Sequence, residues 1–319
     1  MTICVTGGAG FIGQPLVNAL EKSGQSVRIL TRHINNVATN EGMTTYFKSD
    51  LSQSALNLKE FLSGANVLYH CAGEIKNETK MHALHVEGTQ HLLDAVQEHI
   101  RTTQQAFHWV QLSSVGAYGP PLHRARQQRT VTEDNTTHPV GTYEVTKTQS
   151  DELVMRLAAT EPLFSYSILR PSIVIADNMP NGSVRALASM MRKGLFFYIG
   201  SRSSIANYVH LNDVIDALLL CGTDSRARGQ IFNLSNDCLW TDIVNLVRNN
   251  ASKLSSGFCV PELPLRCVVA MTPKFVKSPL SMDRIDALVR HTSYPTNKLK
   301  QVLGFEPKVD IPTAINKMV

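Results

Sequence analysis

The stretch Ile3-Cys4-Val5-Thr6-Gly7-Gly8-Ala9-Gly10-Phe11-Ile12-Gly13 passes from an apolar run into a cluster of glycines and out again into residues at helical spacing. Ile3 to Val5 reads as a strand, and Phe11, Ile12, Leu16, Val17 and Leu20 recur as the apolar face of a helix. A strand that breaks through glycines into a helix has the shape of a dinucleotide-phosphate cradle. Glycine lets the backbone approach a pyrophosphate, and the amides and dipole at the start of the helix favour its negative charge. Two registers fit: Gly8, Gly10 and Gly13 read as GxGxxG, and Gly7, Gly10 and Gly13 read as GxxGxxG.

Outward from this stretch, strand-like runs at residues 27–30, 44–47, 67–71, 108–112 and 165–169 alternate with helical patterns, among them residues 81–99 and 142–159. That alternation predicts an α/β fold, a doubly wound parallel (Rossmann) sheet with ligands at the carboxyl ends of its strands. Residues 115–140 are rich in Pro, Arg, Gln and Thr and predict a long polar loop near the site. Beyond residue 172 the pattern turns irregular. Residues 1–172 therefore read as the dinucleotide-binding domain, with 204–236 returning to it, and 173–319 as mainly a smaller, interleaved substrate-binding lobe.

Composition narrows the classes of function. With 43% apolar and 18% charged residues the chain is an ordinary globule, and no run nears the about 18 apolar residues of a membrane span. A first strand starting almost at Met1 leaves no room for a leader, so a cytoplasmic address is expected. The net charge of +5 is unclustered apart from Arg124, Arg126 and Arg129, which read as solvated surface or a lid over an anionic substrate. No nucleic-acid partner is expected from so weak a basic footprint. Six cysteines without a CxxC read as buried reduced thiols, and no metal-ligand spacing is present.

Tyr143 and Lys147 lie four residues apart on a predicted helix and share a face. A free phenol, with a pKa near ~10, is a poor base, and a nearby ammonium is expected to lower it. Ser113-Ser114 ends a predicted strand and offers a hydroxyl to a substrate oxygen. Acid/base, hydroxyl donor and dinucleotide cradle together point to hydride transfer at a carbinol or carbonyl carbon.

With these residues the chain resembles the extended short-chain dehydrogenase/reductases, the nucleotide-sugar epimerase/dehydratase group. The matching stretches are TGGAGFIG at 6–13, Asp50-Leu51, HCAG at 70–73, VEGTQHLL at 86–93, SSVGAYG at 113–119, Tyr143-x-x-x-Lys147, RPS at 170–172, YVHLNDV at 208–214 and NKLKQVLGFEP at 297–307. The resemblance implies Tyr143 as general acid/base, Lys147 on the nicotinamide ribose, and Ser114 at the catalytic Ser/Thr. It also implies Gly7, Gly10, Phe11, Ile12 and Gly13 at the pyrophosphate, Asp50 and Leu51 flanking the adenine, and Cys71, Ala72, Gly73 and Ser113 lining the cofactor. Pro171 and Ile173 would support the nicotinamide amide, and a homodimer through the helices near 81–99 and 142–159 is implied.

The departures from the family pattern narrow the activity. Thr31-Arg32-His33 carries a cation where an NAD enzyme carries an acid, so Arg32 is expected to meet a 2′-phosphate and NADP is favoured, with NAD as the alternative. Val115 and Gly116 replace the acidic pair of the dehydratases, and the loop holds no cysteine for C3/C5 epimerisation. His85 replaces an Asn before Val-x-Gly-Thr, which leaves that side chain's backbone-bracing role in doubt. Ala206 replaces an Arg that clamps the substrate diphosphate, leaving Arg202, Arg284 and Arg290 as candidate clamps, with Asn181 as a further substrate contact. His210 and Asp213 read as structural, and His70 as a strand-end residue. The expected activity is reduction of a keto-sugar nucleotide for a surface polysaccharide. A UDP-hexose 4-epimerase retaining NAD and a non-catalytic dinucleotide sensor are the alternatives.

Overall fold

Seven strands form one sheet in a computed structural model that describes residues 2–32, 44–53, 58–121, 128–179, 182–249, 258–271 and 281–318. They are β1 (Thr2–Thr6), β2 (Ser26–Thr31), β3 (Thr44–Lys48), β4 (Ala65–His70), β5 (Phe107–Leu112), β6 (Phe164–Pro171) and β7 (Gln230–Leu234). Their spatial order is β7-β6-β5-β4-β1-β2-β3, and every neighbouring pair is parallel. The order reverses at β1, which opens a crevice between the carboxyl ends of β1 and β4.

Side chains that alternate along these strands feed two cores. On one face Ile3 and Val5 pack with Leu16, Val17 and Leu20 of α1 (Gly13–Lys22). On the opposite face Cys4, Leu68 and Trp109 pack with Leu92, Leu93 and Val96 of α2 (Gly88–Thr103) and Val154 of α3 (Thr142–Thr160). Helix α4 (Leu211–Thr223) adds Val214, Leu218 and Cys221 to the first core. All six residues of β5 are buried, as a strand covered on both faces requires. A third cluster, with Val184, Met191, Tyr208, Trp240 and Ile315, lies among the later elements, and Phe11 packs against both it and the α1 core. No helix among the described residues is long and apolar enough to cross a membrane.

Three sequence expectations need correction. The helix expected over 81–99 is broken by a π-helical turn, Ala83–Glu87, between a short helix, Glu78–His82, and α2. Local periodicity does not reveal the extra residue in that turn. The segment 115–140 is not wholly a polar loop: Val115–Tyr118 forms a 3₁₀ turn, and Arg129–Thr130 pairs in parallel with Thr292–Ser293. Val115, Tyr118 and Val131 are buried with Tyr294, because that strand pairing draws the segment inward. Finally, all six cysteines are free, but Cys259 and Cys267 are exposed. Cys267 lies on a helix, Glu262–Met271, that buries none of its residues.

His210 and Asp213 have the structural roles expected of them. The His210 ring accepts the Asn212 N–H at 3.2 Å and caps α4. Asp213, buried, accepts the N–H groups of Lys308 (2.9 Å) and Val309 (3.2 Å) and so ties the C-terminal segment to α4. Hydrogen bonds to a charged acceptor contribute about 1.5–3 kcal/mol each, so Asp213→Ala, which removes two, is expected to lower stability by about 3–6 kcal/mol. Urea unfolding checks this: the midpoint falls while the slope stays constant.

Candidate active site

At the end of β1 the chain turns through Gly7, whose φ of +68° suits glycine, and the Gly10 N–H donates to the Gly7 carbonyl at 2.9 Å. A Cβ on Gly7 would stand 2.7 Å from the Ala72 nitrogen, and one on Gly13 would collide with the Gly7 carbonyl oxygen. Gly8 serves the packing instead, since its missing Cβ makes room for Ile29 of β2. The turn is therefore built on Gly7, Gly10 and Gly13. Helix α1 starts with no side-chain cap at Ile12 and no acid in its first turn, so its positive end is left for an anion.

Around this cradle, β4 runs past β1 and its continuation folds over it. The Cys71 N–H donates to the Thr6 carbonyl (3.1 Å) and the Ala72 N–H to the Thr6 hydroxyl (3.3 Å). Arg32 is exposed just past β2, and His33 lies outside the described residues. Asp50 accepts the Ser52 N–H (3.0 Å) and hydroxyl (2.7 Å). Burial works against the Asp50 carboxylate, yet those two bonds and the charges of Arg32 and Lys80 hold its pKa below the usual range. Leu51 is a core residue, buried beneath Gly88.

The reactive groups come from three elements. Ser114, after β5, accepts the Gly116 N–H on its oxygen at 3.1 Å, which leaves its own proton to donate. Ser113 is not available to a cofactor in the same way, because its hydroxyl donates to the Asp151 carboxylate at 2.7 Å. Tyr143, Lys147 and Asp151 follow one another at intervals of four on α3. Burial pushes the Tyr143 phenol up to about 12, with the charges of Glu144 and Asp151 adding to it. The direction is opposite to the lowering that the sequence predicts, since burial is the largest cause and two carboxylates add to it. Lys147 is 5% exposed, and its ammonium has no hydrogen bond or ion pair within the described residues. An ammonium so placed fits a cofactor bearing hydroxyl groups.

Sequence reasoning missed three features here. First, Glu144 packs against Gly116, its Cγ 2.6 Å from where a Cβ on that glycine would stand. Asp151 also receives Arg170 of β6, at 3.1 Å, and Arg170 lies over the Tyr118 ring at 5.0 Å. Asp151 falls one more turn along the Tyr-x-x-x-Lys face, the spacing that points to it. Third, His85 does brace backbone. Its Nε2 accepts the Glu74 N–H at 2.8 Å, so Nδ1 carries the proton and donates to the Thr146 hydroxyl at 2.8 Å. The ring also stands edge-on to Tyr143, centroids 5.6 Å apart. His70, buried at the end of β4, bonds Thr6 (2.7 Å) and Thr89 (3.1 Å).

The expected substrate residues lie on several elements. Asn181, Arg124 and Arg126 lie outside the described residues, and Arg129 donates to the carbonyls of Gly119 and Tyr118. Arg202 stacks its guanidinium on Tyr198 at 5.4 Å, and Arg284 is exposed on the helix Met282–Leu288. Arg290 is partly buried, its carbonyl accepts the Ile205 N–H at 2.7 Å, and its charge reaches Tyr208, Asp237 and Tyr294. Pro171 is buried at the end of β6, whereas Ile173 is exposed.

The family model for the NAD dependent epimerase/dehydratase family matches residues 3–235. The chain belongs to this family. It is an enzyme of the NAD(P)-dependent short-chain dehydrogenase/reductase type. Among curated relatives, the 4-hydroxy-2-methyl-3-oxo-4-farnesyl-3,4-dihydroquinoline-1-oxide ketoreductase of Stigmatella aurantiaca is 25% identical over 240 residues, covering 74% of this chain and 68% of the relative. The human decarboxylating sterol-4-alpha-carboxylate 3-dehydrogenase is 23% identical over 341 residues, covering 99% and 86%. Among solved structures, the UDP-glucuronic acid 4-epimerase of Bacillus cereus, in complex with NAD, superposes with a TM-score of 0.71 at 18% identity, covering 99% of this chain and 94% of that one.

Burial is the largest cause lowering His85, to about 4 from the ordinary 6.5, and the Lys147 charge adds to it. The unfolded chain therefore takes up this proton first. His85 contributes stability above about pH 6.5 that is lost as pH falls toward 4. His85→Asn, which keeps an acceptor for the Glu74 N–H, is expected to flatten that part of the Tm-against-pH curve, read by scanning calorimetry.

Proposed function

We propose that this enzyme reduces a ketone at the expense of NADPH, with Tyr143 as the proton donor. The arrangement that carries this reading joins Ser114, whose proton is free to donate, to the neutral Tyr143 phenol and the buried Lys147 ammonium, unpaired among the described residues. In this reading the turn at Gly7, Gly10, Phe11, Ile12 and Gly13 takes the pyrophosphate, Arg32 the 2′-phosphate, and Asp50 the adenosine end. Cys71, Ala72 and Gly73 run along the cofactor, which when bound supplies hydride to the reacting carbon. Ser114 donates to the carbonyl oxygen, Tyr143 gives that oxygen its proton, and Lys147 stabilises the phenolate left behind.

The substrate in this reading is a keto-sugar nucleotide, its diphosphate met by Arg290 beside Tyr208 and Tyr294. One observation favours a second class, a ketone on an apolar skeleton such as the curated relatives' names describe. Ala206, at the position of the usual clamp, is only 1% exposed, and Arg202 is turned onto Tyr198. Isothermal titration with UDP-glucose separates the two. Binding that weakens about tenfold or more in Arg290→Ala supports the nucleotide sugar, and no binding at all supports the apolar ketone.

Tyr143→Phe is expected to cut NADPH-dependent ketone reduction about 10²–10⁴-fold, read by absorbance of the reduced cofactor, while NADPH binding persists. Unchanged turnover would overturn Tyr143 as the proton donor, and cofactor binding without any turnover in the unmutated protein would assign a sensing role. Tightly retained NAD with redox-neutral interconversion of UDP-hexoses would assign the epimerase. Arg32→Ala is expected to weaken NADPH about 10–100-fold and NADH little, since a charge-assisted bond contributes about 1.5–3 kcal/mol. Fluorescence titration of both cofactors checks this.

A further inference from the structure

We infer that Asp151 is the counter-ion that keeps Lys147 charged inside the protein, a positioning residue acting on the reaction through Lys147. Asp151 is 0% exposed and uses only one of its two oxygens. Its Oδ2 accepts the Ser113 hydroxyl (2.7 Å) and the Arg170 Nε (3.3 Å) and terminal nitrogen (3.1 Å), whereas Oδ1 is buried and accepts nothing. One turn back on the same helix, Lys147 is an equally buried ammonium without a partner among the described residues. No nitrogen–oxygen approach between the two reaches 4.0 Å, so the attraction acts through space. It is strong there because little solvent screens it.

The charges around Lys147 leave that role to Asp151. Tyr143 on the same helix is neutral, and burial pushes the Cys71 thiol, which follows β4, up to about 12. His70, at the end of β4, and His85, on the π-helical turn, are both held neutral by burial, with the Lys147 charge adding to the effect. Burial draws Lys147 itself downward, and Asp151 is the foremost group opposing it. Ser113 and Arg170 hold the carboxylate in place from β5 and β6 through Oδ2, and Oδ1 is left without a hydrogen bond.

A purely structural Asp151 and a charge-setting one predict different titrations of Lys147. The midpoint is read from the ¹³Cε shift of labelled lysine, assigned by Lys147→Arg, on the full chain without substrate or cofactor. Losing the carboxylate disfavours the charged amine, so D151N is expected to lower the midpoint by about one pH unit or more. S113A removes a hydrogen bond and keeps the charge, so the midpoint stays. R170Q keeps a donor for Asp151 and removes the opposing cation, so the midpoint rises. Should D151N alone fail to fold with Arg170 unpaired, D151N/R170Q removes both charges, and its midpoint is expected below that of R170Q. An unmoved midpoint in D151N or in the double variant overturns the inference, as does a fall in S113A equal to that in D151N, or a fall in R170Q. The readout is independent of turnover, so it stands apart from the ketone-reductase reading.

Discussion

One buried carboxylate joins the elements that hold the reactive groups. Asp151 on α3 receives Ser113 from the end of β5 and Arg170 from β6, and Arg170 lies in turn against Tyr118. The Tyr118 hydroxyl donates to Asn233 of β7 at 2.9 Å. A buried ion pair is weak evidence of net stability, because desolvation offsets most of the attraction, but removing one partner costs about 3–5 kcal/mol. The cluster therefore acts as a register. Ser114 follows Ser113 directly, and Tyr143 and Lys147 lie on the helix that carries Asp151, so any slip between strand and helix would leave a buried charge unpaired.

The second constraint is backbone proximity at the strand crossover. Gly7 and Gly13 let the turn after β1 close down onto Ala72 and onto itself, and Thr6 pins the chain after β4 through both its carbonyl and its hydroxyl. Helix α1, without a side-chain cap at its start, follows directly from that turn. The glycine turn lies at the crevice between β1 and β4, where the sheet order reverses, and the Asp151 cluster ties the adjoining β5 and β6 to α3.

Electrostatics within that crevice keeps most groups neutral. His70, His85, Cys71 and Tyr143 are all held uncharged by burial, and Lys147 remains as the cation among them. His85 shows how a substitution at a backbone-bracing position is absorbed: a ring nitrogen accepts the Glu74 N–H, and the other nitrogen gains Thr146.

The sheet, its parallel order, the glycine turn and the Tyr-x-x-x-Lys face were legible in the residues, because strand and helix periods and a positive-φ turn are local properties. So was Arg32 in place of an acid, since it adjoins the strand end that carries it. The choice between Gly7 and Gly8 needed the approach of Ala72 and Ile29 from other strands. The partition of Ser113 from Ser114 needed Asp151, and the arrival of Glu144 over Gly116 needed the packing of α3 against the strand end. Burial raised the Tyr143 pKa and so reversed the shift that its lysine neighbour suggests. Sequence spacing shows which groups share a face, whereas desolvation depends on everything packed around them and exists only in the folded chain.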